Sequence, residues 1–431
     1  MEAESIRSLK WAAPPRPALD QVRFLPEPDR RSRQHPIVSV DDHLIEPRDI
    51  FEGRIPTKWR DRAPRLVEHD DGSEAWLFEG IINTSIGMSA LAGRPIEECA
   101  FEPQRFEHMR RGAYDSDARV EDMDIDGVYA SVCFPSALVG FGGQRLQLQS
   151  KDPDLALTLV RAINDWHIDS WVAGHPDRLI AVQIPYLLDV DVAADMVRSN
   201  AARGFKAVTF PEAPQKLGLP SLHTGHWDEF VRACEETDTV ICLHIGSAGE
   251  VPSTADDAPA DTIGALFFAS AMFAAVDWLH SMLPVRFPKL RIAMSEGGIA
   301  WVVGLLDRLD HMRRYQRIYG TWNDVSETPA EVFQRNFWHC ALDDPTSMRV
   351  RDRIGIERIT IEADYPHLDS SWPNTQLLFQ RQLADASDYE KRRIAWENAA
   401  ELFRHPVPQS VIDDPESFGM DRSRTLHRQN R

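Results

Sequence analysis

The sequence predicts an α/β fold, a (β/α)8 TIM barrel with a lid insertion after the first strand. Three observations predict it. Short runs that are apolar at nearly every position recur along the chain, as strands covered on both faces require. Amphipathic helical stretches separate these runs. The runs number eight over about 370 residues, the count that a closed parallel barrel needs.

The first run is Ile37, Val38 and Val40 within HPIVSVDDHLIEP, stopped by Pro47. Val128–Phe134 (VYASVCF) follows ARVEDMDIDG, which Gly127 ends. Leu179–Ile184 (LIAVQI) follows an amphipathic stretch over Leu155–Val172. Ala207–Phe210 (AVTF) follows DVAADMVRSNAARG, and Val240–Ile245 (VICLHI) follows HWDEFVRACEETD. Leu290–Met294 (LRIAM) follows the apolar stretch Thr262–Val276. Phe337–Leu342 (FWHCAL) comes after WVVGLLDRLDHMRRYQRIYG, and Ile359–Glu362 (ITIE) after SMRVRDRIG. A doubly wound open sheet is the alternative arrangement. No GxGxxG follows any strand, so its dinucleotide-binding form has no support.

Residues 1–35 read as an N-terminal arm, 36–404 as the barrel and 405–431 as a polar tail. Residues 50–115 carry little regular pattern and are expected to sit over the barrel mouth as a lid or wall. Thr262–Val276 is broken by Gly264 and Ser270 and is too short to span a bilayer. It is expected to form a buried helix or to pack at a subunit interface.

The 431 residues are 43% apolar and 27% charged, an ordinary globular composition. Lys and Arg number 48 against 67 Asp and Glu, giving a net charge of −19. Such a field repels phosphate backbones and argues against nucleic acid as a partner. Five scattered cysteines without CxxC fit reduced thiols in the cytoplasm. MEAESIRSLKWAAPPRP has no apolar run, so no signal peptide is expected.

Barrels place their chemistry where strands end. The first strand ends in Asp41-Asp42-His43, the fifth carries His244, the sixth runs into Ser295-Glu296-Gly297-Gly298, and the eighth reaches Asp364-Tyr365-Pro366-His367. In a closed barrel these ends face one small volume. Strand alternation puts Asp41 and His43 on one side. With His244 and Asp364 they form a mixed N/O set that suits one divalent metal, Zn²⁺ first, with Mn²⁺ or Fe²⁺ as alternatives. Alone, His244 would read as a satisfied core histidine; the constellation makes it a ligand. Glu296 reads as a metal contact or general base, or as an ion-pair partner shaping the mouth. His367 and Trp372 are candidate pocket residues. Arg111 and Arg119 are candidates for bidentate binding of a substrate carboxylate. Glu46 is a candidate to orient a ligand histidine. Alternation turns Cys242 to the same side as His244, without an identifiable base partner.

DDHLIEP, LHIGS, SEGGIAW and DYPHLDSSWPNT, in this order, resemble the amidohydrolase-related branch of the amidohydrolase superfamily, which includes aminocarboxymuconate-semialdehyde decarboxylase, resorcylate-type decarboxylases and carbon–carbon bond hydrolases. The resemblance covers about residues 36–404, with DMDIDGV and ENAAELF in place. It implies the ligand set Asp41, His43, His244 and Asp364, with Asp364, Glu296 and His367 as catalytic groups. The family often carries His at the sixth-strand site that Glu296 occupies here. The carboxylated lysine of two-metal members would fall near Lys206, which is expected to be a non-ligand.

The activity expected first is hydrolysis of a C–N or C–C bond in a small aromatic or carboxylated substrate by a metal-activated water. Non-oxidative decarboxylation of an aromatic or unsaturated acid is the alternative. A hydratase or a non-catalytic binding barrel stays open behind both. A homodimer or higher homo-oligomer is expected.

Overall fold

A computed structural model describes residues 22–98, 102–249, 251–259, 261–316, 318 and 320–419. β1 (Ile37–His43) opens the barrel. The chain then leaves it for an antiparallel sheet of β2 (Arg65–Glu68), β3 (Glu74–Phe78) and β4 (Ile81–Asn83). It returns as β5 (Val128–Phe134), followed by β6 (Leu179–Ile180), β7 (Val182–Gln183), β8 (Ala207–Pro211), β9 (Val240–His244), β10 (Ile292–Ser295), β11 (Phe337–Ala341) and β12 (Ile359–Ile361).

The main sheet runs β6-β5-β1-β12-β11-β10-β9-β8-β7, and every pair in it is parallel. Only Ala181 separates β6 from β7, so the two edges are halves of one strand. The barrel therefore closes with eight strands among the described residues. The Ala181 carbonyl still takes the Lys206 N–H at 2.9 Å, which carries the ladder across the break.

Side-chain caps set three of the barrel helices. Asp152 caps the helix Pro153–Trp166, with Pro at its first position. Asp189 caps Val190–Arg203, which Gly204 ends at positive φ. Thr328 and Glu331 close a reciprocal capping box on Pro329–Asn336.

Two expectations differ from the structure. Residues 50–115 are not patternless, because they hold the β2–β4 sheet. The apolar stretch forms a helix, Asp261–His280, that is buried only in part. By length and composition this is the one described helix apolar enough to cross a membrane. Ala271, Ala274, Ala275 and Trp278 bury one stripe of it, while Phe268 and Phe273 stay 45% and 59% exposed.

The insertion lies at the strand C-termini. Leu91 and Ala92 donate their N–H groups to the Pro366 carbonyl, in the loop after β12. The described part of the N-terminal arm runs along the surface. Leu25 N–H reaches Gly93 and Arg31 N–H reaches Ile125. Arg33 is buried, donates to the carbonyls of Phe418 and Asp124, and lies over the Phe418 ring.

Candidate metal centre

Asp41, His43, His244 and Asp364 meet at the C-terminal mouth, and none has exposed surface. Backbone hydrogen bonds fix the two sequence pairs against each other. Asp364 N–H donates to Asp41 O at 3.0 Å, and His43 N–H to Tyr365 O at 2.7 Å. Asp364 takes a φ of 52° and Glu296 one of 57°, a region that side-chain-bearing residues rarely occupy.

The atoms facing the cluster fit a cation. His244 Nδ1 lies 2.7 Å from the Ile245 carbonyl, so Nδ1 carries the proton and Nε2 is left with a lone pair. That Nε2 stands 3.1 Å from His43 Nε2. His43 Nε2 is 3.3 Å from Asp364 Oδ1 and 3.7 Å from Asp41 Oδ1. Asp41 Oδ2 is 3.6 Å from His244 Nε2. All four oxygens of Asp41 and Asp364 are buried without a hydrogen-bond donor. Burying two carboxylates this way is costly unless something positive lies between them. Two carboxylates and two neutral imidazoles around a dication sum to zero charge. Without a cation, burial first and neighbouring carboxylates second raise the Asp41 and Asp364 carboxyls far above their ordinary range. Burial likewise pushes His244 down to about 3.

His367 stacks on the His43 ring at 3.8 Å and brings Nδ1 to 2.9 Å from Asp364 Oδ1. Burial lowers its pKa to about 4. Glu296 Oε2 lies 3.4 Å from His244 Nε2. These two therefore join the four ligand candidates in one cluster.

The substrate-binding candidates fall elsewhere. Arg111 is exposed and paired to Asp115 at 2.8 Å. Arg119 is buried, donates to Gly112 O at 2.7 Å and to the His43 carbonyl, and stacks on Tyr365. It holds the backbone of His43, a ligand candidate, rather than facing the cluster. Trp372 lines a cavity of about 240 Å³ with His367, Leu91, Pro26 and Arg110. Arg110 lies over the Trp372 ring and is ion-paired to Asp122 and Glu27. Glu46 orients no histidine. It accepts the N–H groups of Ser136, Leu138 and Val139 in the loop after β5. Cys242 is buried inside the barrel. Lys206 lies before β8, at the strand end opposite the mouth.

Three further residues belong to the site. Glu362 is buried and accepts the Glu296 N–H at 3.1 Å and the Cys340 thiol. Burial raises its pKa to about 8. The alternation that aims Asp364 inward aims Glu362 inward too, so this residue was readable. Glu212, just past β8, accepts the Gly246 N–H at 3.0 Å, and burial raises its carboxyl to about 7. Phe141 packs on His244 and His43 at ring distances of 4.1 and 4.8 Å. Its only sequence signal is an aromatic among glycines in a loop after a strand.

The profile of the amidohydrolase family matches residues 100–405. No curated protein sequence matches the chain. Among solved structures, an amidohydrolase from Mycobacterium avium subsp. paratuberculosis K-10 is similar at a TM-score of 0.70 and 22% identity, over 86% of this chain and 100% of that one. A 5-carboxyvanillate decarboxylase from Sphingomonas paucimobilis is similar at 0.58 and 18%, over 86% and 99%. A dihydroxybenzoic acid decarboxylase from Polaromonas sp. JS666, solved with manganese and 2-nitroresorcinol, is similar at 0.55 and 17%, over 86% and 97%. At these identities the likeness is one of fold.

Proposed function

The chain belongs to the amidohydrolase family of enzymes, and from that premise we propose that it is a metal-dependent carboxy-lyase acting on an aromatic carboxylic acid. The observation that carries this reading is the position of Asp364, whose Oδ1 lies 3.3 Å from His43 Nε2 and 2.9 Å from His367 Nδ1. One carboxyl thus adjoins both a candidate ligand histidine and a second histidine that is not among the four ligand candidates.

Asp41, His43, His244 and Asp364 would hold the cation, which supplies Lewis-acid anchoring of the substrate carboxylate and a neighbouring oxygen. Asp364 delivers its proton to the ring carbon that bears the carboxylate. The carbon–carbon bond then breaks, its electron pair restores the aromatic ring, and carbon dioxide leaves. A proton from solvent restores the Asp364 carboxyl, which the His367 ring positions with its Nδ1 2.9 Å from Oδ1. Glu296 borders the cluster and orients the substrate.

Decarboxylase relatives support this reading over hydrolysis. Hydrolysis is the second reading, favoured by Glu296, a carboxylate base where many family members carry His. Manganese comes before zinc here, because two of the four donors are hard carboxylate oxygens and the Polaromonas relative holds manganese. The insertion is taken as the lid, since it packs on the loop after β12. Four described cysteines are unpaired and suit the cytoplasm. The exposed Phe268 and Phe273 suit a second copy of the chain.

The test is product analysis with manganese-loaded protein on hydroxylated benzoates. One carbon dioxide per substrate consumed is expected. Two fragments, or a product that has gained water, would replace the carboxy-lyase reading.

A further inference from the structure

Phe141 sits in the loop 135–143 that joins β5 to the helix Gln144–Gln149. Every residue of this loop is buried except Phe141, which keeps partial exposure. The loop is tightly built. Glu46 takes three of its N–H groups, at 2.9, 3.2 and 3.1 Å. Gly140 and Gly143 turn it at φ of 81° and 73°. A Cβ on Gly142 would lie 2.9 Å from the Pro211 nitrogen, so the chain can pass there only as glycine. The Phe141 carbonyl accepts from the Thr209 hydroxyl. The ring is therefore held in place, and it touches three imidazoles: His244 at 4.1 Å, His43 at 4.8 Å and His367 at 6.0 Å. Phe134 also packs on His244, at 5.2 Å, but has no exposed surface. Of the two described phenyl rings packed on these imidazoles, Phe141 is the one that keeps exposed surface.

We propose that Phe141 selects aromatic over open-chain acids, as the fixed flat wall against which the substrate ring lies when its carboxylate reaches the cluster. The inference rests on the carboxy-lyase reading and adds to it a specificity-determining residue. Offset or edge-on ring contacts are stronger than contact with an aliphatic side chain of similar bulk. Leucine keeps the apolar volume and loses the flat face.

The experiment titrates manganese-loaded wild type, Phe141→Leu and Phe141→Trp with two probes, 2,6-dihydroxybenzoate and hexa-2,4-dienedioate, by calorimetry. The wild type should prefer the aromatic probe. Phe141→Leu should lower that preference about tenfold, the scale of a pocket contact, and Phe141→Trp should retain it. Metal content should be the same in all three. An unchanged preference in Phe141→Leu, or equal loss for both probes, would overturn the inference and leave the carboxy-lyase reading standing. A wild type that releases carbon dioxide from an aromatic acid but shows no probe preference has the same meaning. A wild type that binds neither probe and releases no carbon dioxide removes both.

Discussion

The Nε2 atoms of His43 and His244 stand 3.1 Å apart, and that of His244 carries no hydrogen. Two imidazoles are brought this close, with four undonated carboxylate oxygens around them, where a cation completes the set. His244→Ala should therefore weaken manganese binding at least about 100-fold, more than loss of an outer-shell partner costs. Elemental analysis after gel filtration reads this directly, and full metal retention would remove His244 from the ligand set.

Asp364→Asn keeps the shape of the side chain and removes the proton that the proposed mechanism takes from it. Turnover should fall about 10²–10⁴-fold, the range of a general acid. Circular dichroism should match the wild type. An active variant would take Asp364 out of the proton path.

Glu296 touches His244 and owes its conformation to Glu362 and Cys340, which share its N–H. Glu296→Gln should cost rate more than stability. Wild-type kcat and KM beside a lowered melting temperature would return Glu296 to a purely structural role.

Removing the metal should also destabilise the fold, because only the folded chain presents the four donors together. A chelator should lower the melting temperature, and manganese should restore it in proportion to the logarithm of its concentration. A melting temperature indifferent to both would contradict a resident metal.

His167 offers a pH test away from the cluster. It is buried, and its Nε2 accepts the Val182 N–H at 3.3 Å, which requires the neutral ring. Burial pushes its pKa from 6.5 to about 3. Between those values the unfolded chain binds a proton that the folded one does not, so stability falls as pH drops through that window. His167→Gln retains an acceptor and does not titrate. The stability gap between wild type and variant, measured by urea unfolding, should shrink from pH 7 to pH 4.5. A constant gap would mean that the ring is not held neutral.

Much of this was legible in the sequence, and for specific reasons. The VYASVCF run gave β5 at Val128–Phe134 because a strand covered on both faces leaves no ambiguity of period. Asp41, His43, His244 and Asp364 were legible because they end strands, and a closed barrel converts distant strand ends into neighbours. LIAVQI reads as one strand, since the interruption at Ala181 is a matter of tertiary hydrogen bonding. The β3–β4 hairpin was missed although Glu79-Gly80, both at positive φ, is a two-residue hairpin turn. Arg111 and Arg119 could not be sorted by sequence. Their fates depend on which way a short turn and the helix Ser116–Asp126 face.

The seam between Arg33 and Phe418 bears on how the protein comes to be made. Arg33 leaves the ribosome early, and its Phe418 partner emerges nearly four hundred residues later. Until then the Arg33 guanidinium has the Asp124 carbonyl but lacks the Phe418 carbonyl and ring that complete its burial, a burial that drives its pKa down to about 9 chiefly by loss of water. Domains fold as they are synthesised, so the barrel can close before the arm docks. A chain cut short of Phe418 would keep the eight strand segments and the arm's bonds to Gly93 and Ile125, but would leave the Arg33 guanidinium without the carbonyl and the ring that cover it.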